Sequence, residues 1–430
     1  MTLFTTTQPT VRCPQAENED FRRLSPYIFL LFWLITLNGC KERQVTRPTP
    51  QMDAKPQFWV RVLLLDDARA FTLKTASAFS IIDPKTQTAQ ACAASVDAPI
   101  NVEASGGTIS IAGQAITNNE VIILPESPHI FSVNGEDYRG KLKLILNPDA
   151  NSLDAINLVP LEAYLAGVTG AEMPSYWEPA ALQAQTIAAR TYCLHIKKQF
   201  GSNRNWDVTK TAANQVYLGV GAESAIVWDA IDKTRGQVLV CRQNDGIDVF
   251  PAYYSSSCGG HTENSTKVFG DSFEPLTGVP CPYCKDVAKP SFFSWPMVQL
   301  DKTVVTNNLL RRYSKLEQLG VITEIISAEQ SNYGEFSRLT MVKLLGSSGK
   351  SELLRAEDFR LAIDPTGRKL KSAICQIAEM GDKWAFLSGR GCGHGVGMCQ
   401  CGAEAMARQG KTVNQILFYY YPGSNIVYVY

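Results

Sequence analysis

The sequence predicts an α+β protein: a β-rich N-terminal module, then a mixed α/β domain of short helices and antiparallel strands. Three observations lead there. Residues 58–155 carry strand texture with no helical stripe. Helical periodicity begins at Pro160. From about residue 237 onward, short strands and short helices alternate with no repeat of fixed period. The chain has 430 residues, room for two or three domains of about 150 residues. Hydrophobic residues are 45% of it, enough for a sizeable core. Lys plus Arg and Asp plus Glu are 41 each, so the net charge is zero. That balance argues against a nucleic-acid partner, whose phosphates call for a cationic face.

The first 57 residues read as address rather than fold. Arg22 and Arg23 precede the apolar run 26–37 (PYIFLLFWLITL). It is too short for a membrane-spanning helix, which needs about 20 residues. A basic flank, a short apolar stretch and then small residues indicate a signal peptide over 1–40. Its exit, Leu37-Asn38-Gly39-Cys40, resembles a bacterial lipobox. Cys40 is then lipidated and becomes the mature N-terminus of an exported, membrane-anchored lipoprotein facing the cell wall or periplasm. The plainer alternative is an ordinary signal peptide with an incidental cysteine. Residues 41–57 are polar and proline-bearing and read as a tether.

In the β module, 60–65, 109–111, 121–124 and 139–146 read as strands, the last alternating polar and apolar with period two. The following domain is placed at 156–430. After Pro160, Leu161, Tyr164, Leu165 and Val168 form a helical stripe that is expected to stop around Gly167–Gly170. Ala171-Glu172-Met173-Pro174 then reads as a loop, because the residue before a proline avoids the α region. A second helix is predicted from Pro179 to about Lys198. Strands follow at 237–240 and 249–254, a helix near 305–319, and strands at 322–327 and 338–345. Helices at 400–408, stopped by Gly410, and 413–420, stopped by Pro422-Gly423, close the chain.

Cys258, His261, Cys281 and Cys284 make C-x2-H, nineteen residues, then C-x2-C. Each two-residue gap lets one turn present two ligands to a tetrahedral metal, so a structural zinc site is expected. An exported protein has the alternative of pairing these thiols as disulfides. Three more cysteines, Cys392, Cys399 and Cys401, surround His394. One-residue gaps suit a strand better than a metal knuckle, so a disulfide within that trio is expected, with packing as the alternative. His394 sits among Gly391, Gly393, Gly395 and Gly397, which allow a close backbone approach. The stretch has no dinucleotide fingerprint, and Ser255–Ser257 have no nucleophile-elbow frame.

Six ordered motifs resemble one family. They are Leu161–Val168, Ala171-Glu172-Met173-Pro174, Ala184-Gln185 with Ala188-Ala189-Arg190-Thr191-Tyr192, Gln215-Val216-Tyr217-Leu218-Gly219, Tyr254–Thr262, and Gly391–Met398. Together they are similar to the stage II sporulation protein D family, whose domain is shared with the amidase enhancer LytB. The resemblance covers roughly residues 130–430. It implies a sporulation-related family of peptidoglycan enzymes: lytic transglycosylases that cut glycan strands, or else non-catalytic glycan-binding enhancers of a cell-wall amidase. Glu172 matches the family's catalytic acid, and the chemistry itself requires no cofactor. Gln185, Arg190, Ser256 and His394 are candidate substrate-binding or supporting residues. An arginine too close to Glu172 would lower its pKa and weaken an acid role.

Overall fold

The computed structural model describes residues 58–93, 98–244 and 246–430. The expected signal peptide, Cys40 and the tether lie outside them. The described chain is α+β. From Trp59 to Pro160 every regular element is a strand. A seven-stranded sheet runs, edge to edge, through Val208–Thr209, Trp59–Ala68, Leu153–Pro160, Lys141–Leu146, Glu120–Pro125, Phe79–Ile82 and Ala89–Cys92. A six-stranded sheet contains Ala70–Thr75 between Ile130–Val133 and Ile100–Ser105. Their alternating apolar faces, with Val60, Val62, Phe71, Leu73, Val102 and Ile123, form one core.

The antiparallel register Trp59↔Pro160 and Val60↔Val159 brings strand Leu153–Pro160 to its end, and helix α1 (Leu161–Glu172) starts at the next residue. All of Leu161–Thr169 is buried, so α1 is a core helix rather than a surface one. Helix α2 (Pro179–Phe200) has proline in its first turn and Lys197 and Lys198 in its last, where cations complement the helix dipole. It lies between two cores. Ala189, Tyr192, Cys193 and Ile196 face the β module, while Ala181, Leu182, Ala184 and Ile187 face the C-terminal half.

Helix α1 does not stop at its glycines, as the sequence suggests. Gly167 and Gly170 are inside it because other chain segments press against them. A Cβ on Gly167 would lie 2.5 Å from the Tyr217 ring, and one on Gly170 1.9 Å from the Ala222 carbonyl oxygen. The helix ends at Glu172, where Met173 turns extended before Pro174. The expected strand at 249–254 is split by Pro251 into Gly246–Val249 and Tyr254–Ser255. The helix expected near 305–319 ends at Arg312 and continues as a 3-10 turn, Ser314–Leu319. Both C-terminal helices form, Gln400–Arg408 and Val413–Tyr420, the second with a Thr412/Gln415 capping box.

Residues 294–390 make a lobe with its own core, including Trp295, Leu309, Val342, Phe359 and Phe386. Its two ends meet: Ser294 pairs with Arg390 and Trp295 with Gly389 in a short antiparallel ladder.

Gly170→Ala would drive a methyl group into the Ala222 carbonyl. The expected outcome is a loss of about 1–3 kcal/mol, read as a lower urea midpoint with an unchanged slope.

Candidate active site

Glu172 is the last residue of α1, at the negative end of the helix dipole, where a carboxylate is disfavoured. Its Oε1 accepts the Val216 backbone N–H at 2.9 Å, and its Oε2 accepts the Gln400 side-chain amide at 3.3 Å. Both donors are neutral. Burial pushes the carboxyl above its ordinary range, and the two hydrogen bonds offset only part of that rise.

The Val216 donor is held in place by a network. Gln215 accepts the Tyr164 hydroxyl at 3.0 Å and donates to the Ala189 carbonyl at 3.2 Å and the Tyr254 hydroxyl at 2.8 Å. Tyr217, buried between Tyr164 and Tyr138, donates to Asn157 at 2.9 Å. The segment therefore crosses α1 at one fixed height, and the Val216 N–H meets the carboxyl at the end of that helix.

Glu172 opens onto a cleft of about 430 Å³. Tyr176 and Trp177 form one side, and Ser256, Lys289, Phe292, Gln400 and Arg408 contribute the rest. Tyr176 is 79% exposed, a bare aromatic face at the rim. Among the described residues lining the cleft, Glu172 is the one carboxylate.

The other expected site residues separate into two groups. Ser256 lines the cleft, and Gln185 is buried beneath it with its carbonyl oxygen 3.5 Å from the Gln400 amide. Arg190 does not belong to the cleft. It is fully buried in a bidentate ion pair with Glu162 (3.0 and 2.7 Å) and donates to the Gln237 carbonyl. The reason is helical phase: Gln185 and Arg190 lie five residues apart on α2, so they face different cores. His394 is not among the cleft-lining residues either. Its Nδ1 accepts the Val396 N–H at 3.0 Å, and its ring packs edge-on against Phe269 and Tyr253. Burial holds its pKa down to about 4, so it is a neutral, structural imidazole near pH 7.

The cysteines also depart from expectation. The sulfurs of Cys258, Cys281 and Cys284 converge, but the fourth group beside them is Cys399, not His261. His261 is held away: its Nδ1 is 2.6 Å from the Thr262 carbonyl oxygen, and its ring stacks on Tyr333 at 3.9 Å. The disulfide expected within Cys392, Cys399 and Cys401 does not form, and all three are free thiols. Cys399 pairs in parallel with Ser255, which brings it to Cys258, and the chain turns into a helix before Cys401. Sequence reasoning missed Gln400, which lies two residues beyond the motif ending at Met398, and missed the roles of Val216, inside a quoted motif, and Cys399, expected in a disulfide.

The model of the family described as SpoIID, Stage II sporulation protein, matches residues 149–241, the stretch that holds Glu172, α2, Gln215 and Val216. Stage II sporulation protein D of Bacillus subtilis is 30% identical over 286 residues, 63% of this chain and 76% of that protein. This chain belongs to the stage II sporulation protein D family. An uncharacterised protein of Brachyspira hyodysenteriae is 32% identical over 309 residues, 71% of this chain and 76% of that one. The amidase enhancer of B. subtilis is 28% identical over 363 residues, and the match spans 76% of this chain but only about half (49%) of the enhancer. The family's matched region thus contains helix α1 with Glu172 and the Val216 segment that hydrogen-bonds it.

Arg190→Leu should destabilise this family member by about 3–5 kcal/mol, because it leaves Glu162 buried without its guanidinium. Urea unfolding checks it. Unchanged unfolding with weakened substrate binding would return Arg190 to the cleft.

Proposed function

We propose that this chain cuts the glycan strands of peptidoglycan by lytic transglycosylation, with Glu172 as both acid and base, as an exported protein anchored to the membrane through a lipidated Cys40. The carrying observation is the lone, largely buried carboxyl that lines an open cleft and is bonded only to neutral donors. Ordinary glycosidases need two carboxylates, the second to activate water or attack the sugar. A reaction in which the sugar's own hydroxyl is the nucleophile needs only one.

The steps balance on that single group. Protonated Glu172 gives its proton to the glycosidic oxygen, and the bond from that oxygen to C1 of the muramic sugar breaks. The resulting carboxylate takes the proton of the same sugar's 6-hydroxyl, and O6 closes on C1 as a 1,6-anhydro ring. Glu172 ends protonated and no water is consumed. Burial and the helix end favour the protonated starting state. The Tyr176 and Trp177 rings offer apolar faces to sugar rings, and Lys289 and Arg408 offer cations to the acidic substituents of the strand. Family membership and the likeness to an amidase enhancer support a cell-wall role.

A second reading, a non-catalytic glycan-binding enhancer of a cell-wall amidase, is favoured by that same likeness and by the exposed Tyr176 platform. The two differ in what Glu172 does. Glu172→Gln preserves shape and hydrogen bonding but has no proton to give. It should lower the rate at which anhydro-muramyl ends form by about 10²–10⁴-fold, measured by mass spectrometry of purified glycan strands. A parent protein that yields no anhydro ends, with a Gln variant that still stimulates an amidase, establishes the enhancer reading instead.

The pH profile carries a sign. Because the acid must start protonated, kcat/KM should fall as pH rises through a Glu172 pKa above the ordinary value of about 4.3. The buried, neutral Tyr254 phenol lies near the carboxyl, and Lys289 and Arg408 line the cleft it opens onto. Gln400→Leu removes a hydrogen bond that favours the carboxylate, so the falling limb should move to still higher pH. A limb at or below the ordinary value would exclude Glu172 as the acid. Among the described residues no helix is long and apolar enough to cross a membrane. Cys40→Ser should therefore move the protein from the membrane pellet to the soluble fraction, and retention in the pellet would point to an uncleaved signal anchor.

A further inference from the structure

Four cysteine sulfurs from three separate segments meet in the interior. Cys258 follows the strand Tyr254–Ser255, Cys281 and Cys284 flank a tight turn, and Cys399 ends the strand Met398–Cys399. All four residues are at most 1% exposed, and their sulfurs all lie within 4.8 Å of one another. Cys258 and Cys284 are 3.8 Å apart at sulfur. Two thiolates on a tetrahedron around zinc at about 2.3 Å are separated by about 3.8 Å. The sulfurs also receive hydrogen bonds, as metal thiolates do: the Cys258 N–H donates to Cys399 Sγ, and the Tyr420 hydroxyl meets Cys281 Sγ, each at 3.2 Å. Gly402 leaves room for this arrangement, since a Cβ there would lie 2.0 Å from the Tyr420 hydroxyl and 2.7 Å from Cys281 Sγ. The plain alternative is four small thiols filling space. It does not account for convergence of all four on one point, while the other six described cysteines lie outside the group.

We propose that Cys258, Cys281, Cys284 and Cys399 bind one thiophilic divalent cation of the zinc class as four thiolates, and that this ion clamps the cleft wall opposite α1. Binding releases the four thiol protons and leaves a closed site with no open position, which makes the ion structural rather than water-activating. The clamp follows from where the ligands sit. Cys399 directly precedes Gln400, which donates to Glu172. Ser256 lies two residues before Cys258, and its backbone carbonyl accepts the Cys401 N–H at 3.0 Å. Lys289, on the cleft rim, follows Cys284 by five residues. Each ligand segment thus supplies part of the wall facing the acid. The clamp rests on the glycan-cleft reading, whereas the ion itself does not.

The test uses the full chain purified under reducing conditions without added metal. Elemental analysis should find about one zinc per chain, and X-ray absorption should find four sulfurs at about 2.3 Å. Cys399→Ser should lose the metal and His261→Ala should keep it. Three sulfurs and one nitrogen, with loss of metal in His261→Ala, would overturn the assignment of Cys399. Should Cys399→Ser fail to fold, Tyr420→Phe replaces it, with an expected 10–100-fold loss of zinc affinity. Reduced protein that binds neither zinc nor cobalt overturns the site altogether. The clamp is read by hydrogen exchange. Removing the metal should raise exchange at 281–289, 398–408 and 170–177 and leave 58–160 protected. A rise confined to the cysteine segments, or spread evenly, overturns the clamp. Absence of anhydro products from metal-loaded parent protein would instead overturn the function proposed above while leaving the metal result intact.

Discussion

The hydrogen bond from the Val216 N–H to Glu172 is the contact on which the arrangement of the site depends. A carboxyl at the end of a buried helix is costly when charged, and a single backbone donor must be delivered to it without bringing in a cation. The molecule does this with sheet geometry. Strand Trp59–Ala68 pairs on one side with the strand that leads into α1 and on the other, in parallel, with Val208–Thr209. Both partners of the hydrogen bond are thereby tied to the same strand. The Tyr217 ring then locks onto Gly167, fixing the height at which the 215–219 segment crosses the helix.

Much of this was legible in the sequence where interactions are local. The period-two strands, the stripe after Pro160, the alanine-rich second helix and the two C-terminal helices all follow from residue spacing. Gly167 and Gly170 misled because a glycine in a helix reads as a stop. Whether it is instead a contact surface depends on what packs there, and Tyr217 and Ala222 are far along the chain. Arg190 misled for a related reason. Its neighbour Gln185 does reach the cleft side of α2, but which helix face meets which core is decided by the sheet beneath.

The cysteines show the same limit more sharply. C-x2-H and C-x2-C are local patterns, and local pattern favoured His261. The parallel pairing of Ser255 with Cys399 is a long-range contact, and it brings a thiol into the fourth position while Tyr333 stacks over the histidine. The motif around Gly391–Met398 was conspicuous for His394. Its contribution to the cleft lies instead just beyond it, at Gln400, because the strand ends there and the helix turns the amide toward Glu172.

The meeting of the two ends of residues 294–390 has an evolutionary corollary. A lobe whose entry and exit strands pair with each other can be lengthened, shortened or exchanged without moving the chain on either side. A change of length there would leave helix α1 and its Val216 donor where they are. Contacts out of the lobe limit that freedom: Arg355 donates to the Phe269 carbonyl, Lys267 donates to Ser331, and Tyr333 stacks on His261. Arg338 reaches out of the lobe to the carbonyls of Cys258 (2.8 Å) and His394 (3.2 Å), so a lineage that trimmed the lobe would need another cation to hold those two loops together.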